Sequence, residues 1–225
     1  MKNLILWNAR SVLNKKTNLN YLIYKENPNI IAITETWLKE KDKFTLNNYT
    51  IIRKDRVNQV GGGLAICIKN NLQFKEINLR EIYRDKLETL GIKVNYKRKW
   101  LNIIIIYNPC NDIKTEELQY YSDQITDPKL IMGDFNAHHP YWNENISNRQ
   151  INTTGKNIIK WISQNNLIML TPKNQITRID PKTAKESTID LVFGSPTLSH
   201  IQLKTTSHLD SDHLPIIIND NSTKQ

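Results

Sequence analysis

Cysteine is scarce in this chain of 225 residues: only Cys67 and Cys110 occur, without a CxxC pair or the Cys and His spacing of zinc sites. A disulfide framework and a structural zinc site are therefore excluded, and we expect both cysteines to be reduced thiols in or beside the core. Glycine and proline are also few, at 7 and 8 residues. No linker rich in these residues and no internal repeat divides the chain, which favours one domain.

Long hydrophobic runs are missing as well. The longest pure apolar run, Ile103–Tyr107, falls far short of the roughly 20 residues that a membrane span needs. Near the N-terminus, Leu4–Trp7 is too brief for the apolar core of a secretion signal. We therefore expect an intracellular protein with no segment in the membrane.

Acidic residues are outnumbered by basic ones, 22 against 31, which gives a formal net charge of +9. Apolar residues make up 39% of the chain and charged residues 24%, so a disordered, collagenous or coiled-coil protein is excluded. This basic balance favours a nucleic-acid partner, because lysine and arginine that neutralise phosphates release counterions. Any single lysine fits an ordinary solvated surface equally well.

Short β-branched and apolar runs recur along the chain and predict strands. They are residues 4–7, 30–34, 49–53, 63–68, 87–95, 100–107, 130–132, 167–170, 189–193, 201–205 and 213–218. Helical patterns lie between them at residues 15–25, 115–125 and 153–165. Many strands with few helices predict an α/β sandwich, in which two sheets pack together with helices outside. Gly61–Gly63 lacks the pattern of a phosphate-binding loop and is predicted to be a turn.

Three polar side chains stand where predicted strands end: Asn8, Glu35 and Tyr107. Taken alone, the first two fit ordinary strand ends that meet water. Tyr107 fits either a ring packed at the sheet end or a hydroxyl in a cleft. Strand ends are also where a sheet delivers side chains into a shared site.

Further polar groups follow later strands or precede them. Asp134 and Asn136 lie in the turn after a buried strand, a spacing that suits the positioning of a water molecule. Asp190 and the adjacent pair Asp212 and His213 enter the last strands. One ring nitrogen of a histidine placed between acids faces a carboxylate while the other faces a phosphate. Each segment alone fits a polar turn, but so many strand ends with such groups are hard to explain as surface decoration.

The whole set suits metal-assisted hydrolysis of a phosphodiester. Oxygen donors without thiolates favour a hard cation, Mg²⁺ or Mn²⁺. We expect Glu35 to be the direct ligand, with Asn8 and Asp212 beside it, either as ligands or through water.

The remaining groups are expected to act on the water and the phosphate. Asp134 would hold or deprotonate the attacking water, and Asn136 would fix Asp134 or bind phosphate. His213, oriented by Asp190, and Tyr107 would donate hydrogen bonds to the phosphate oxygens.

At these residues the chain resembles the exonuclease-endonuclease-phosphatase superfamily, and most of all the endonuclease domains of LINE-type, non-LTR retrotransposons. The resemblance spans about residues 3–218 and is carried by Trp7–Ser11, Ile33–Leu38, Gly61–Ile66, Tyr107–Pro109, Gly133–His139, Ser187–Asp190 and Ser211–Pro215. Apurinic/apyrimidinic repair enzymes of this superfamily have an acidic residue two positions after the first asparagine. This chain has Arg10 there, which makes apurinic-site repair a weaker expectation.

The resemblance implies a DNase-like four-layer α/β sandwich, made of two packed mixed β-sheets flanked by helices. It implies an endonuclease domain at residues 1–218, followed by a polar tail at residues 219–225. It also implies a Mg²⁺-dependent nickase for double-stranded DNA that acts in the nucleus. Its 3′-hydroxyl product would prime a reverse transcriptase carried in the same polypeptide.

The segment from Thr177 to Ser187 resembles the hairpin that reaches into the DNA groove in this family. We expect it to tune target choice through groove shape more than through hydrogen bonds to base edges, unless its tip is simply mobile. The residues predicted to contact DNA are Arg10, Thr177, Arg178, Lys182, Lys185 and Ser187.

Two other functions stay open on the sequence. A catalytically silent DNA-binding module would also be basic, although it has no need of the full set of acids. A phosphodiesterase or repair endonuclease of the same superfamily would share those acids, and the basic balance argues against a small phosphorylated substrate.

Overall fold

The computed structural model describes residues 3–57 and 59–220. Its helices are α1 (Lys16–Glu26), α2 (Thr115–Ser122) and α3 (Thr153–Gln164). Its strands are β1 (Leu4–Asn8), β2 (Ile30–Thr34), β3 (Tyr49–Lys54), β4 (Leu64–Lys69), β5 (Phe74–Ile77), β6 (Glu88–Tyr96), β7 (Lys99–Tyr107), β8 (Lys129–Asp134), β9 (Ile168–Met169), β10 (Arg178–Ile179), β11 (Glu186–Ser187), β12 (Asp190–Gly194), β13 (Ile201–Thr205) and β14 (Ile216–Asp220).

The strands form two six-stranded sheets and a small hairpin of β10 and β11. The first sheet has the order β13-β14-β1-β2-β4-β3, and the second has the order β5-β6-β7-β8-β12-β9. Within each sheet one central pair is parallel, β1 with β2 and β7 with β8, and the other neighbours are antiparallel. Both sheets are therefore mixed.

The core is divided into three apolar layers by the alternation of side chains along the strands. On β1, Leu4 and Leu6 face the space between the two sheets, where they pack with residues of the second sheet. Ile5 and Trp7 point the opposite way and pack beneath α1. The outer face of the second sheet is covered by α2 and α3, with Trp161 among the buried side chains. The predicted four-layer α/β sandwich is confirmed.

The last predicted strand differs from the observed one. It begins at Ile216 instead of His213, since Pro215 has no N–H to donate to a neighbouring strand and His213 bridges to Arg178 of the hairpin. It also runs two residues past the predicted domain boundary at residue 218 and ends at Asp220. Residues 221–225 of the predicted polar tail lie outside the described residues.

The two cysteines lie in different environments. Cys67 is buried in β4 as expected, whereas Cys110 is exposed in the loop after β7, where its backbone takes a φ of 65°. None of the helices in residues 3–57 and 59–220 combines the length and apolarity needed to cross a bilayer.

Candidate active site

Strand register brings most of the predicted residues to one edge of the sandwich. The ends of β1 and β2 lie side by side, with Asn8 opposite Thr34 and Glu35 immediately after it. In the second sheet Tyr107 pairs with Asp134, and Asp134 also pairs with Asp190 of β12. Opposed residues in a sheet have β-carbons about 5 Å apart, so pairing alone places these polar groups in contact range.

Asn8 joins the two sheets at this edge. Its side chain is fully buried, and its Nδ2 donates to Glu35 Oε1 at 2.8 Å and to Asp134 Oδ2 at 2.8 Å. Its Oδ1 accepts from the backbone N–H of Arg10 at 3.2 Å. One amide thus holds two carboxylates that come from different sheets.

His213 lies between two buried carboxylates. Its Nδ1 donates to Asp190 Oδ2 at 2.7 Å, and its Nε2 is 3.9 Å from Asp134 Oδ2. Burial opposes charge on the ring, but the Asp190 carboxylate outweighs it and raises the pKa of His213 to about 9. Burial and the nearby Asp190 raise the pKa of Asp134. The ring is therefore held as an imidazolium that faces Asp134.

Two hydroxyl groups fix this arrangement from behind. Thr177 Oγ1 accepts from the backbone N–H groups of Ile189 and Asp190 at 3.0 and 3.1 Å. Ser211 Oγ donates to the carbonyl of Asn8 at 2.8 Å and accepts from the N–H of His213 at 3.2 Å. Both hydroxyls are buried and act on the positions of catalytic candidates.

The prediction that Thr177 and Ser187 contact DNA is therefore corrected. Thr177 is fully buried because its hydroxyl serves the β12 backbone, and Ser187 is 9% exposed in the strand that pairs with Arg178. Lys182 and Lys185 are exposed at the hairpin tip, as expected. Of the six predicted DNA contacts, Arg10, Arg178, Lys182 and Lys185 reach the surface.

Tyr107 is nearly buried, with its hydroxyl side near Glu35. Burial, Glu35 and Asp134 together raise the pKa of its phenol, so the phenol keeps its proton. The Arg56 guanidinium lies 5.4 Å from the ring centroid and also pairs with Glu88. Sequence reasoning missed this support, which comes from Arg56 in the loop after β3 and from Glu88 at the start of β6.

Asp212 does not bond to Asn8 or Glu35. Its Oδ2 accepts from Arg10 Nη1 at 2.8 Å and from Arg178 Nε at 2.9 Å, while its buried Oδ1 has no hydrogen-bond partner. Burial opposes ionisation, but His213 and the two arginines keep the pKa of Asp212 below its usual range. Asp212 is therefore an ionised anchor for the side chains of Arg10 and Arg178.

Asn136 lies beside Asp134 but is tied to the backbone. The backbone N–H of Asn136 donates to Asp134 Oδ1 at 3.0 Å, and its side-chain Nδ2 donates to the carbonyl of Asn108 at 2.7 Å. Asn108 is fully buried and donates to the carbonyl of Phe135 at 2.7 Å. Sequence reasoning did not single out Asn108, although its place directly after Tyr107 was the available signal.

The donor set fits a hard divalent cation. Glu35 offers two carboxylate oxygens that accept from Asn8 and Trp37 and lie near the Tyr107 hydroxyl, and the Oδ1 atoms of Asp190 and Asp212 are buried without a partner. Asp134, Asp190 and His213 also form a cluster whose ligand atoms lie within 4.8 Å of one another. These three residues are at most 3% exposed, whereas Glu35 is partly exposed at the edge of the sandwich, so Glu35 is the better candidate ligand.

Known proteins share this fold and a family sequence pattern with the chain. The sequence pattern of the endonuclease-reverse transcriptase family matches residues 101–217, just over half of the chain. No curated protein matches the sequence significantly.

Solved structures match over nearly the whole chain. The endonuclease domain of TRAS1, a telomere-specific non-LTR retrotransposon, has a TM-score of 0.74 at 14% identity and covers 100% of both chains. An AP endonuclease from Archaeoglobus fulgidus has a TM-score of 0.70 at 15% identity over 98% of this chain and 100% of its own. AP endonuclease LMAP from Leishmania major has a TM-score of 0.75 at 11% identity over 96% of this chain and 86% of its own.

At sequence identities of 11% to 15%, the similarity to solved structures establishes the fold. The match to the family pattern establishes that the chain is related to that family. The chain belongs to the endonuclease-reverse transcriptase family and is a phosphodiester hydrolase of the exonuclease-endonuclease-phosphatase superfamily.

Proposed function

We propose that this protein is a Mg²⁺-dependent endonuclease that nicks one strand of duplex DNA. The product would be a 3′-hydroxyl that primes reverse transcription by a polymerase carried in the same polypeptide, and the site of action would be the nucleus. The observation that carries the proposal is the buried network in which Asn8, Asp134, Asp190 and His213 contact one another beside Glu35.

Glu35 is the proposed direct ligand of the cation, with Asn8 holding its Oε1, and Asp212 is proposed to contact the cation through water. When bound, Mg²⁺ or Mn²⁺ supplies positive charge to the phosphate and to the leaving 3′ oxygen. Arg10 and Arg178 add fixed positive charge on the side of Asp212.

The other side chains divide the work on water and phosphate. Asp134, whose pKa is raised by burial and by Asp190, accepts the proton of the attacking water. His213, kept protonated by Asp190, donates a hydrogen bond to a phosphate oxygen as charge develops in the transition state. Tyr107 keeps its phenolic proton and is the second proposed donor.

A supercoiled plasmid tests the proposed activity directly. We expect the protein to convert it to open circles with Mg²⁺ and to leave it intact with EDTA, because the oxygen donors need the cation. The nicks should be extended by a DNA polymerase without phosphatase treatment, which reports a 3′-hydroxyl. A plasmid with abasic sites is the control for repair activity and should be cut no faster.

The two rival functions give different results in the same assay. A silent binding module retards the plasmid but never nicks it. A phosphodiesterase for small substrates hydrolyses a chromogenic phosphodiester and spares the plasmid. Either result, obtained with folded protein and Mg²⁺, rejects the proposal.

The hairpin of β10 and β11 is the proposed groove contact. Its base is anchored, since Ile179 N–H donates to the carbonyl of Asp212 at 2.8 Å and Leu214 N–H donates to that of Thr177 at 2.7 Å. Its tip carries Lys182 and Lys185, both exposed. An anchored base with a charged tip suits a rigid element that reads the shape of DNA.

Replacing both tip lysines by alanine is expected to weaken DNA binding. The slope of log Kd against log salt concentration should fall by about 2, because each phosphate that a lysine neutralises contributes about 0.9. The matched control replaces Lys25 and Lys99, which are also exposed. Lys99 is eight residues before Tyr107 on β7, about 26 Å away at the rise of a strand. Equal salt slopes for the two double variants would remove the hairpin from the DNA interface, and unchanged nick positions after exchange of the whole loop would remove its role in target choice.

A further inference from the structure

Trp37 is an exposed aromatic residue with an unusual partner. Its side chain is among the exposed large hydrophobic groups, at 39% exposure, and it lies two residues after Glu35. Its indole Nε1 donates to Glu35 Oε2 at 3.0 Å. At this exposure the indole N–H of Trp37 can donate to water. Its hydrogen bond to the Glu35 carboxylate is therefore not required to satisfy the donor.

Together, Trp37 and Asn8 hold both oxygens of one carboxylate. Asn8 donates to Oε1 at 2.8 Å, and Trp37 donates to Oε2 at 3.0 Å. A carboxylate held at both oxygens does not rotate about its last bond. With the Tyr107 hydroxyl as a further donor, Glu35 still keeps an acceptor site for a cation, since a carboxylate has about four. Donors arranged in this way orient ligands in metal sites.

The backbone around this pair is unusual. Glu35 and Trp37 have φ angles of 50° and 54°, in the left-handed region that residues with a β-carbon rarely adopt. The backbone N–H of Trp37 donates to the carbonyl of Gly62 at 2.9 Å, and the backbone N–H of Thr36 donates to the carbonyl of Gly63 at 3.1 Å. Left-handed residues that are held so firmly occur preferentially at functional sites.

The Gly61–Gly63 turn provides the seat for the indole. All three glycines have φ angles between 67° and 84°, as a turn that only glycine adopts without strain requires. A β-carbon on Gly61 would lie 3.5 Å from Trp37 Nε1, so the ring packs directly on the turn. The Gly61–Gly63 turn therefore supports the loop that contains Glu35 and Trp37.

We propose that Trp37 is a positioning residue for the divalent cation: its indole N–H fixes the orientation of the Glu35 carboxylate, and its ring reports cation binding through fluorescence. The inference rests on the proposed function, in which Glu35 is the direct ligand. A ring at this place could alternatively serve as a stacking platform for a base, and the test separates the two roles.

The test compares Trp37→Phe with Trp100→Phe in the full-length chain. Phenylalanine keeps a flat ring for packing or stacking and removes the N–H donor. Trp100 is the matched control because it is 36% exposed and contacts the Lys75 and Lys93 side chains, not the site. The probe is Mn²⁺ alone, with the free ion counted by electron paramagnetic resonance and with tryptophan emission recorded in parallel.

We expect Trp37→Phe to raise the Kd for Mn²⁺ about 10-fold, since loss of a donor to a metal ligand typically costs 10- to 100-fold in affinity. It should also abolish the Mn²⁺-dependent change in emission. Nicking by this variant should recover at saturating metal, with the half-saturating concentration shifted by the same factor. Trp100→Phe should match the parent protein in all three measurements, and both variants should keep its thermal midpoint.

Three results would overturn the proposal. They are an unchanged Kd for Mn²⁺ in Trp37→Phe, a nicking defect that saturating metal does not recover, and weaker DNA binding as the sole defect, which would indicate stacking. Glu35→Gln separates this outcome from failure of the proposed function. If the glutamine variant binds Mn²⁺ normally, Glu35 is not the ligand and the role of Trp37 falls, while plasmid nicking by the parent protein still decides the proposed function. If Trp37→Phe shifts the Kd but the parent protein never nicks DNA, only the proposed function falls.

Discussion

Asp134→Asn is expected to slow plasmid nicking by on the order of 10²- to 10⁴-fold, the usual contribution of a general base. The carboxylate is buried, accepts from the N–H of Asn136 at 3.0 Å and from Asn8 Nδ2 at 2.8 Å, and faces His213 Nε2 at 3.9 Å. Asparagine has nearly the same shape but cannot accept the proton of a water molecule. DNA affinity should stay within about twofold to threefold, because Asp134 is 1% exposed.

Single-turnover nicking, with DNA binding measured separately in Ca²⁺, separates the chemical step from affinity. Asp85→Asn is the matched control, since Asp85 is an exposed carboxylate on the loop before β6 and should leave the rate unchanged. A nicking rate for Asp134→Asn equal to that of the control would reject Asp134 as the base. A rate that falls only in proportion to DNA affinity would assign it a role in binding instead.

The sequence predicted this edge of the fold because its strands are marked by apolar runs that end at polar residues. Asn8 and Glu35 follow neighbouring runs, and so do Tyr107 and Asp134. In each sheet the two strands concerned are parallel, so their C-terminal ends share one edge. The runs predicted where the strands end, whereas the parallel pairing that brings these ends together was not predicted from the sequence.

Pairing between distant strands was beyond the sequence. Asp190 and Asp134 face each other only because β12 runs antiparallel to β8, and a shift of one residue would turn Asp190 to the other face. Burial of Thr177 depends on the same register, since its hydroxyl binds the start of β12. The resemblance of residues 177–187 to a DNA-contacting hairpin suggested a DNA contact for Thr177, and the burial of its side chain could not be read from the sequence.

The direction of individual hydrogen bonds was also beyond the sequence. Asp212 was expected beside Glu35, and its adjacency to His213 fitted that expectation. Its carboxylate pairs with Arg10 and Arg178, which lie 202 and 34 residues away along the chain, and the sequence did not indicate these two pairs. Side chains of this length reach several partners, and only the folded backbone decides among them.

Gly133→Ala is expected to destabilise the fold by about 3 kcal/mol or more, at the upper end for overpacking and strained backbone. Gly133 precedes Asp134 on β8 and has a φ of 151°. A β-carbon there would lie 1.8 Å from the carbonyl oxygen of Ile106, its partner on β7. Because that obstacle is backbone, relief requires β8 to move away from β7.

Denaturant unfolding of Gly133→Ala against Gly91→Ala measures this effect. Gly91 lies on β6, and the atoms nearest to its added β-carbon would be side-chain atoms of Ile77 and Leu79, at 3.2 to 3.4 Å. Those atoms adjust, so the control should lose about 1 kcal/mol or less. Comparable losses in the two variants would contradict the steric account of β8. The expected difference matters for the site, since the movement that relieves Gly133→Ala also separates Asp134 from Tyr107, its partner in the same ladder.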